Sequence, residues 1–262
     1  MVSPLRRLSA LGQSVWVDFL SRESVRGGHL RSLIEDHAVV GATSNPSIFE
    51  KAMSSGDAYD EELRPLAAEG GEAAQIFWSL AERDVAEACD LFAGVWARTD
   101  GRDGYVSIEV DPGLAYEPLQ TYREAMRLHE LIDRPNLLVK IPATQPGLSA
   151  FEDVIAKGRS VNVTLIFSLV RYRAVAESYV RGLERLVAEG GDPATVASVA
   201  SFFVSRIDTE ADRRLDDVGG HDELKGRLAV ANARLAYQRY KEIFSGPRWD
   251  YLASKGATPQ RV

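Results

Sequence analysis

Six short runs rich in β-branched and aromatic residues alternate along the chain with long stretches of helical periodicity, and that alternation leaves few folds open. Residues 14–19, 39–43, 105–110, 136–144, 161–167 and 196–204 read as strands. Between them, helical patterning runs to about Asp36, then over 48–53, 58–68 and 72–96 as an insertion after the second strand. It returns at 118–132, 148–156, from a Ser168 cap to Ala188, over 222–244 and over 248–254. Strands separated by helices are parallel strands joined by right-handed crossovers. Two architectures satisfy this: an open doubly wound sheet and a TIM-type (β/α)8 barrel. The first would carry a glycine-rich phosphate loop after the first strand. Here that strand ends Asp18-Phe19-Leu20-Ser21-Arg22, and no G-x-x-x-x-G-K-[ST] run occurs anywhere. The barrel is favoured. With no internal repeat or linker, residues 1–262 read as one α/β domain.

Composition narrows the function. A net charge of −7 argues against a nucleic-acid binder with a broadly basic face. The single cysteine, Cys89, has no intramolecular partner and lies in a helical pattern, as a core residue of a reducing compartment would. No apolar run is long enough to span a bilayer, and Arg6 and Arg7 are followed by a stretch too broken for a signal peptide. A cytoplasmic location is the expectation. The four histidines are scattered, so no metal site is expected.

What ends or interrupts each strand is more informative. In order these residues are Asp18; Thr43 and Asn45; Glu109; Lys140; Asn162 and Thr164; Ser201 and Arg206. In a parallel barrel the C-terminal strand ends converge on one mouth, where catalytic groups gather. Lys140 is the lone cation of an apolar run, and burial of a lysine favours the neutral amine that attacks carbonyls to form a Schiff base. Glu109 and Thr164, on the flanking strands, suit the water and protons of that step, and Asp18 suits proton removal from a substrate hydroxyl. Asn45 and Asn162 suit sugar hydroxyls, and Arg206 suits a phosphate. Each has a plain structural alternative. Lys140 could snorkel or pair with a carboxylate, and Glu109 and Asp111 could pair with it or cap a helix. Arg206 could pair with Asp208 or Glu210, and Thr43-Ser44-Asn45-Pro46 is also a turn and helix cap.

The wording of these strands resembles the transaldolase family. The resemblance rests on Gly41-Ala42-Thr43-Ser44-Asn45-Pro46-Ser47-Ile48-Phe49, Val106-Ser107-Ile108-Glu109-Val110-Asp111-Pro112, Leu138-Val139-Lys140-Ile141-Pro142-Ala143-Thr144, Val161-Asn162-Val163-Thr164-Leu165-Ile166-Phe167-Ser168 and Ser201-Phe202-Phe203-Val204-Ser205-Arg206-Ile207-Asp208. It covers nearly the whole chain and is nearest to the long actinobacterial type. It implies a cofactor-free, metal-free enzyme of the pentose phosphate pathway. Such an enzyme moves a dihydroxyacetone unit from sedoheptulose 7-phosphate or fructose 6-phosphate to an aldose phosphate. Lys140 would be the Schiff-base lysine, Glu109 and Thr164 would handle the water, and Asp18 would be the acid/base of carbon–carbon cleavage. Thr43, Asn45, Asn162, Ser201 and Arg206 would bind substrate. The partners implied are sugar phosphates, with neither nucleic acid nor membrane, and a homodimer is allowed. The sequence departs from the family at Phe19, where relatives often have an acid. Six strands are counted where the fold has eight, and a further strand should begin at Gln260-Arg261-Val262. The expectation is therefore a barrel short of its seventh and eighth strands. A fructose-6-phosphate aldolase that releases dihydroxyacetone, and a catalytically silent homologue acting as a binding protein, are the alternatives.

Overall fold

Parallel neighbours cannot be joined by a hairpin, and the chain places helix in every gap between strands. The structure, a computed structural model, describes residues 3–262. In chain order the elements are α1 (Pro4–Ala10), β1 (Val15–Val17), α2 (Arg22–Arg26), α3 (His29–His37), β2 (Val39–Thr43), α4 (Pro46–Met53), α5 (Asp60–Ala68) and α6 (Ala73–Arg98). There follow β3 (Tyr105–Glu109), α7 (Pro118–Ile132), β4 (Leu137–Pro142), α8 (Gln145–Ala156), β5 (Val161–Ile166), α9 (Leu169–Ala188), β6 (Ser198–Phe202), α10 (Ser205–Val218), α11 (Leu228–Ile243) and α12 (Pro247–Ser254). The six strands are hydrogen-bonded in chain order with no reversal. A doubly wound sheet has a reversal point, so this order is that of the (β/α) barrel type. The helical insertion after β2 is present as α4 to α6.

The chain forms two compact units. The first contains the residues through Glu109 together with Arg127–Val139. In it β1 pairs with β2 and β2 with β3, all parallel. The buried Asn136 amide donates to the carbonyls of Cys89 (2.9 Å) and Gly104 (2.7 Å), which satisfies two acceptors that burial would otherwise penalise. Gly41 is obligatory, because a Cβ there would lie 2.4 Å from the Trp16 indole. The second unit contains Val110–Met126 and Lys140–Val262. In it the Ala143 amide donates to the Thr164 carbonyl at 2.8 Å, and β5 pairs with β6 in parallel. Its helical layer is tight: a Cβ on Gly182 of α9 would lie 2.7 Å from Ile155 of α8, while Phe151 and Tyr179 stack nearby. Residues 137–141 of β4 are all buried, as expected of a strand covered on both faces.

Some elements differ from the sequence reading. The helix read after the first strand is two, α2 and α3, divided at Gly27-Gly28, where Gly28 has φ 84°. Helix α10 has no buried residue, although Ile207, Ala211, Leu215 and Val218 recur along it at helical spacing. It is laced instead by Arg213 and Arg214 to Glu210 and by Arg213 to Asp217. Residues 222–224 form a 3-10 turn ahead of α11. Arg261 forms an isolated parallel bridge with Val199, at the point where the pattern has a further strand beginning.

The first unit is locked by a buried polar network. Arg22 Nε meets Asp84 Oδ1 at 3.0 Å, and the Tyr59 hydroxyl donates to Asp84 Oδ2 at 2.7 Å and accepts the Arg22 amide at 2.9 Å. The Arg22 guanidinium also lies over the Tyr59 ring, 4.4 Å from its centroid. Burial raises the Tyr59 hydroxyl above its ordinary value, so it stays protonated and donates. Burial likewise raises the Asp84 carboxyl, against the hydrogen bonds from Tyr59 and Arg22. Removing one member strands the buried charge of another. Asp84→Ala is expected to cost about 3–5 kcal/mol in urea unfolding; a loss under about 1 kcal/mol would show that the network is not a structural lock.

Candidate active site

Parallel partners point to the same face of a sheet, so register decides which side chains of the second unit meet. The Ala143-to-Thr164 bond sets Pro142 opposite Thr164 and, two residues back, Lys140 opposite Asn162. Lys140 is only 7% exposed, between the fully buried Val139 and Ile141. Asn162 is fully buried and Thr164 is 5% exposed. On β6, Asn162 stands opposite Val199, and two residues further the Ser201 hydroxyl donates to Asn162 Oδ1 at 2.8 Å. One face of this unit thus brings together an amine, an amide and two hydroxyls. The Ser201 bond fixes which way the Asn162 amide turns, so its N–H groups point away from β6's hydroxyl.

Arg206 is the second residue of α10 and is exposed. Its guanidinium lies over the Phe203 ring, 5.0 Å from the centroid, and Phe203 in turn lies 5.0 Å from Phe167. The ion pairs that would have made Arg206 merely structural involve other groups. Asp208 Oδ1 accepts the Ala229 amide at 2.9 Å, and Glu210 is held by Arg213 and Arg214. A guanidinium resting on an aromatic face at a helix N-terminus is suited to an anion. The aromatic support from Phe203 was not anticipated from sequence. The apolar run gives it no mark; only the tertiary placement of α10 reveals it.

In the first unit each predicted residue stands at the C-terminal end of its strand. Asp18 is exposed and follows β1 directly. Thr43 ends β2 and Glu109 ends β3, both half-buried. Asn45 is the N-cap of α4, and its Oδ1 accepts the Ile48 amide at 2.9 Å. Ser44 fixes that corner to β3 by donating its hydroxyl (2.8 Å) and amide (3.2 Å) to the Ser107 carbonyl. Phe19, the departure from the family pattern, stacks on His29 with ring centroids 5.6 Å apart. In the second unit, Asp111 caps the turn that follows β3, its Oδ1 accepting the Gly113 amide at 2.7 Å.

Among the described residues no group of three His, Cys, Asp or Glu could hold a metal ion, and no helix is long and apolar enough to cross a membrane. Cys89 is buried, and burial pushes its thiol up to about 12, which leaves it protonated and unreactive.

Residues 15–258 match the model of the family described as transaldolase/fructose-6-phosphate aldolase. The chain is 51% identical to a transaldolase of Frankia alni over 263 residues, covering all of this chain and 71% of the relative. It is 52% identical to one of Saccharopolyspora erythraea, covering 99% of this chain and 70% of the relative. A transaldolase of Thermobifida fusca is 51% identical, with all of this chain and 72% of the relative covered.

The capping bond of Asn45 separates two roles it can have. Asn45→Ala removes the cap and is expected to cost about 1 kcal/mol of stability. Asn45→Asp keeps an accepting oxygen and the stability but loses the amide donor. If that donor meets substrate, both variants raise KM; unchanged KM in both would confine Asn45 to the cap.

Proposed function

The chain belongs to the transaldolase/fructose-6-phosphate aldolase family, and from that premise we propose that it transfers a dihydroxyacetone unit between sugar phosphates through a lysine Schiff base. The observation that carries this reading is Lys140: an amine buried in an apolar strand, on the same face as Asn162, Thr164 and Ser201.

The proposed sequence begins with attack of the Lys140 amine on the carbonyl carbon of a ketose phosphate, giving a carbinolamine. Glu109 supplies a proton to the departing hydroxyl, and the water so formed is held with Thr164. The resulting iminium is an electron sink. Asp18 then takes the proton of the hydroxyl on the far carbon of the bond to be broken, the carbon that becomes the aldehyde. That carbon–carbon bond cleaves, its electron pair forms the enamine, and an aldose phosphate leaves. The enamine attacks an acceptor aldehyde, Asp18 returns its proton to the new alkoxide, and water releases Lys140. Asn45 and Asn162 would bind the dihydroxyacetone hydroxyls, with Thr43 and Ser201 beside them. Arg206, supported by Phe203 and the α10 N-terminus, would take the phosphate.

The family name joins two activities that share the lysine and differ in what happens to the enamine. Fructose 6-phosphate alone should yield little free dihydroxyacetone, and adding erythrose 4-phosphate should yield sedoheptulose 7-phosphate. Dihydroxyacetone released without an acceptor would instead indicate the aldolase.

Borohydride added with fructose 6-phosphate should trap a reduced adduct on Lys140, read by peptide mass. Lys140→Ala should lower turnover by at least about 10⁴-fold, within the range ascribed to covalent and acid–base groups. A folded wild type that traps no adduct, or a Lys140→Ala variant that keeps substantial turnover, would refute the assignment.

A further inference from the structure

Four described non-glycine residues have positive φ: Ala38, Asp100, Asp133 and Leu165. The first three lie at or just past the C-termini of α3, α6 and α7, where a left-handed residue is an ordinary helix stop. Leu165 differs. It lies inside β5 with φ 64°.

The register shows what this conformation does. Val163 stands opposite Ala200 and Ile166 opposite Phe202, so Thr164 and Leu165 together face the single residue Ser201. That is a β-bulge, and its left-handed position is normally glycine. Without the extra residue, Leu165 would stand opposite Phe202, whose ring packs edge-on against Tyr172 of α9 at 6.1 Å. Leu165 would then lie under the helices. The bulge puts the fully buried Ile166 there instead and leaves Leu165 41% exposed beside Thr164.

Packing of Ile166 alone does not account for a leucine at this position. Glycine would make the same bulge without strain, and the half-exposed leucine side chain gains little burial to offset the strain. Thr164 meanwhile is held from the other side, its carbonyl accepting the Ala143 amide at 2.8 Å.

We propose that Leu165 is a positioning residue: its strained backbone and apolar side chain fix the Thr164 hydroxyl and wall that side of the site against extra water. This rests on the Schiff-base reading given above. The experiment compares Leu165→Gly and Leu165→Asn with the wild type by thermal unfolding, borohydride trapping with fructose 6-phosphate, and steady-state kinetics. Leu165→Gly should unfold about 2–4 °C higher, because its backbone accepts the bulge without strain. It should also form imine and turn over about tenfold more slowly at near-unchanged KM. Leu165→Asn, of similar size and tolerant of left-handed geometry, should lose rate to a similar extent because the apolar wall is gone. A Leu165→Gly protein that is no more stable would overturn the strain argument. One that is more stable and traps imine at the wild-type rate would overturn the positioning role alone. A wild type that traps no adduct would remove the functional reading, and this inference with it.

Discussion

The period-two alternation of paired parallel strands is the constraint on which the second unit depends. Once the Ala143 amide binds the Thr164 carbonyl, the faces of β4 and β5 are set for every residue back along both strands. Lys140, Asn162 and Thr164 fall on one face, joined from β6 by Ser201. Val163, Ala200 and Phe202 fall on the other, against the helices. A one-residue slip would exchange the two sets, burying hydroxyls under α9 and presenting valine to the site. The apolar demand of the helical layer therefore holds the polar face in register. The bulge at Leu165 is the one place where β5 breaks parity, and it does so after the two polar residues of that strand have been placed.

Much of this was legible in sequence. The six strands, the insertion after β2, the Ser168 cap and the solitary Lys140 are all written in short-range pattern, because alternation, caps and an isolated charge are local properties. What escaped depends on tertiary partners. Helix α10 is an exception: its stripe of Ile207, Ala211, Leu215 and Val218 is a local pattern, sparse among charges that pair within the helix. The Ser201-to-Asn162 bond follows from register, and Arg206's seat on Phe203 follows from where α10 begins. The left-handed Leu165 is invisible because the residue that usually signals such a bulge, glycine, is absent.

The buried Arg22–Tyr59–Asp84 network shows how the first unit handles charge apart from the predicted chemistry. Four residues after Asp18, Arg22 is buried, while Asp18 itself is exposed. The β1–α2 turn is thus anchored at one end by the Arg22–Asp84 ion pair and open to solvent at the other. Under the proposed chemistry, in which Asp18 exchanges protons with substrate, a firm backbone beneath an exposed carboxylate is the arrangement required.

A polar residue at the end of a β/α strand has an ambiguity that position resolves. Every helix that follows a strand begins with unpaired N–H groups, and a side-chain oxygen at the corner satisfies one of them. Asn45, Thr144 and Ser168 all do this, each accepting from the amide three residues on. Polar corners therefore arise from helix initiation alone, and in this fold they are weak evidence of chemistry. Glu109, Lys140, Asn162, Thr164 and Ser201 lie within the strands, before any helix begins, and cannot serve as those caps. Within the second unit, the burial of Lys140, Asn162 and Thr164 has to be explained by the contacts those side chains make or by a ligand. Placement within a strand, that of Lys140 above all, is therefore the stronger ground for the proposed chemistry, and placement at a corner the weaker.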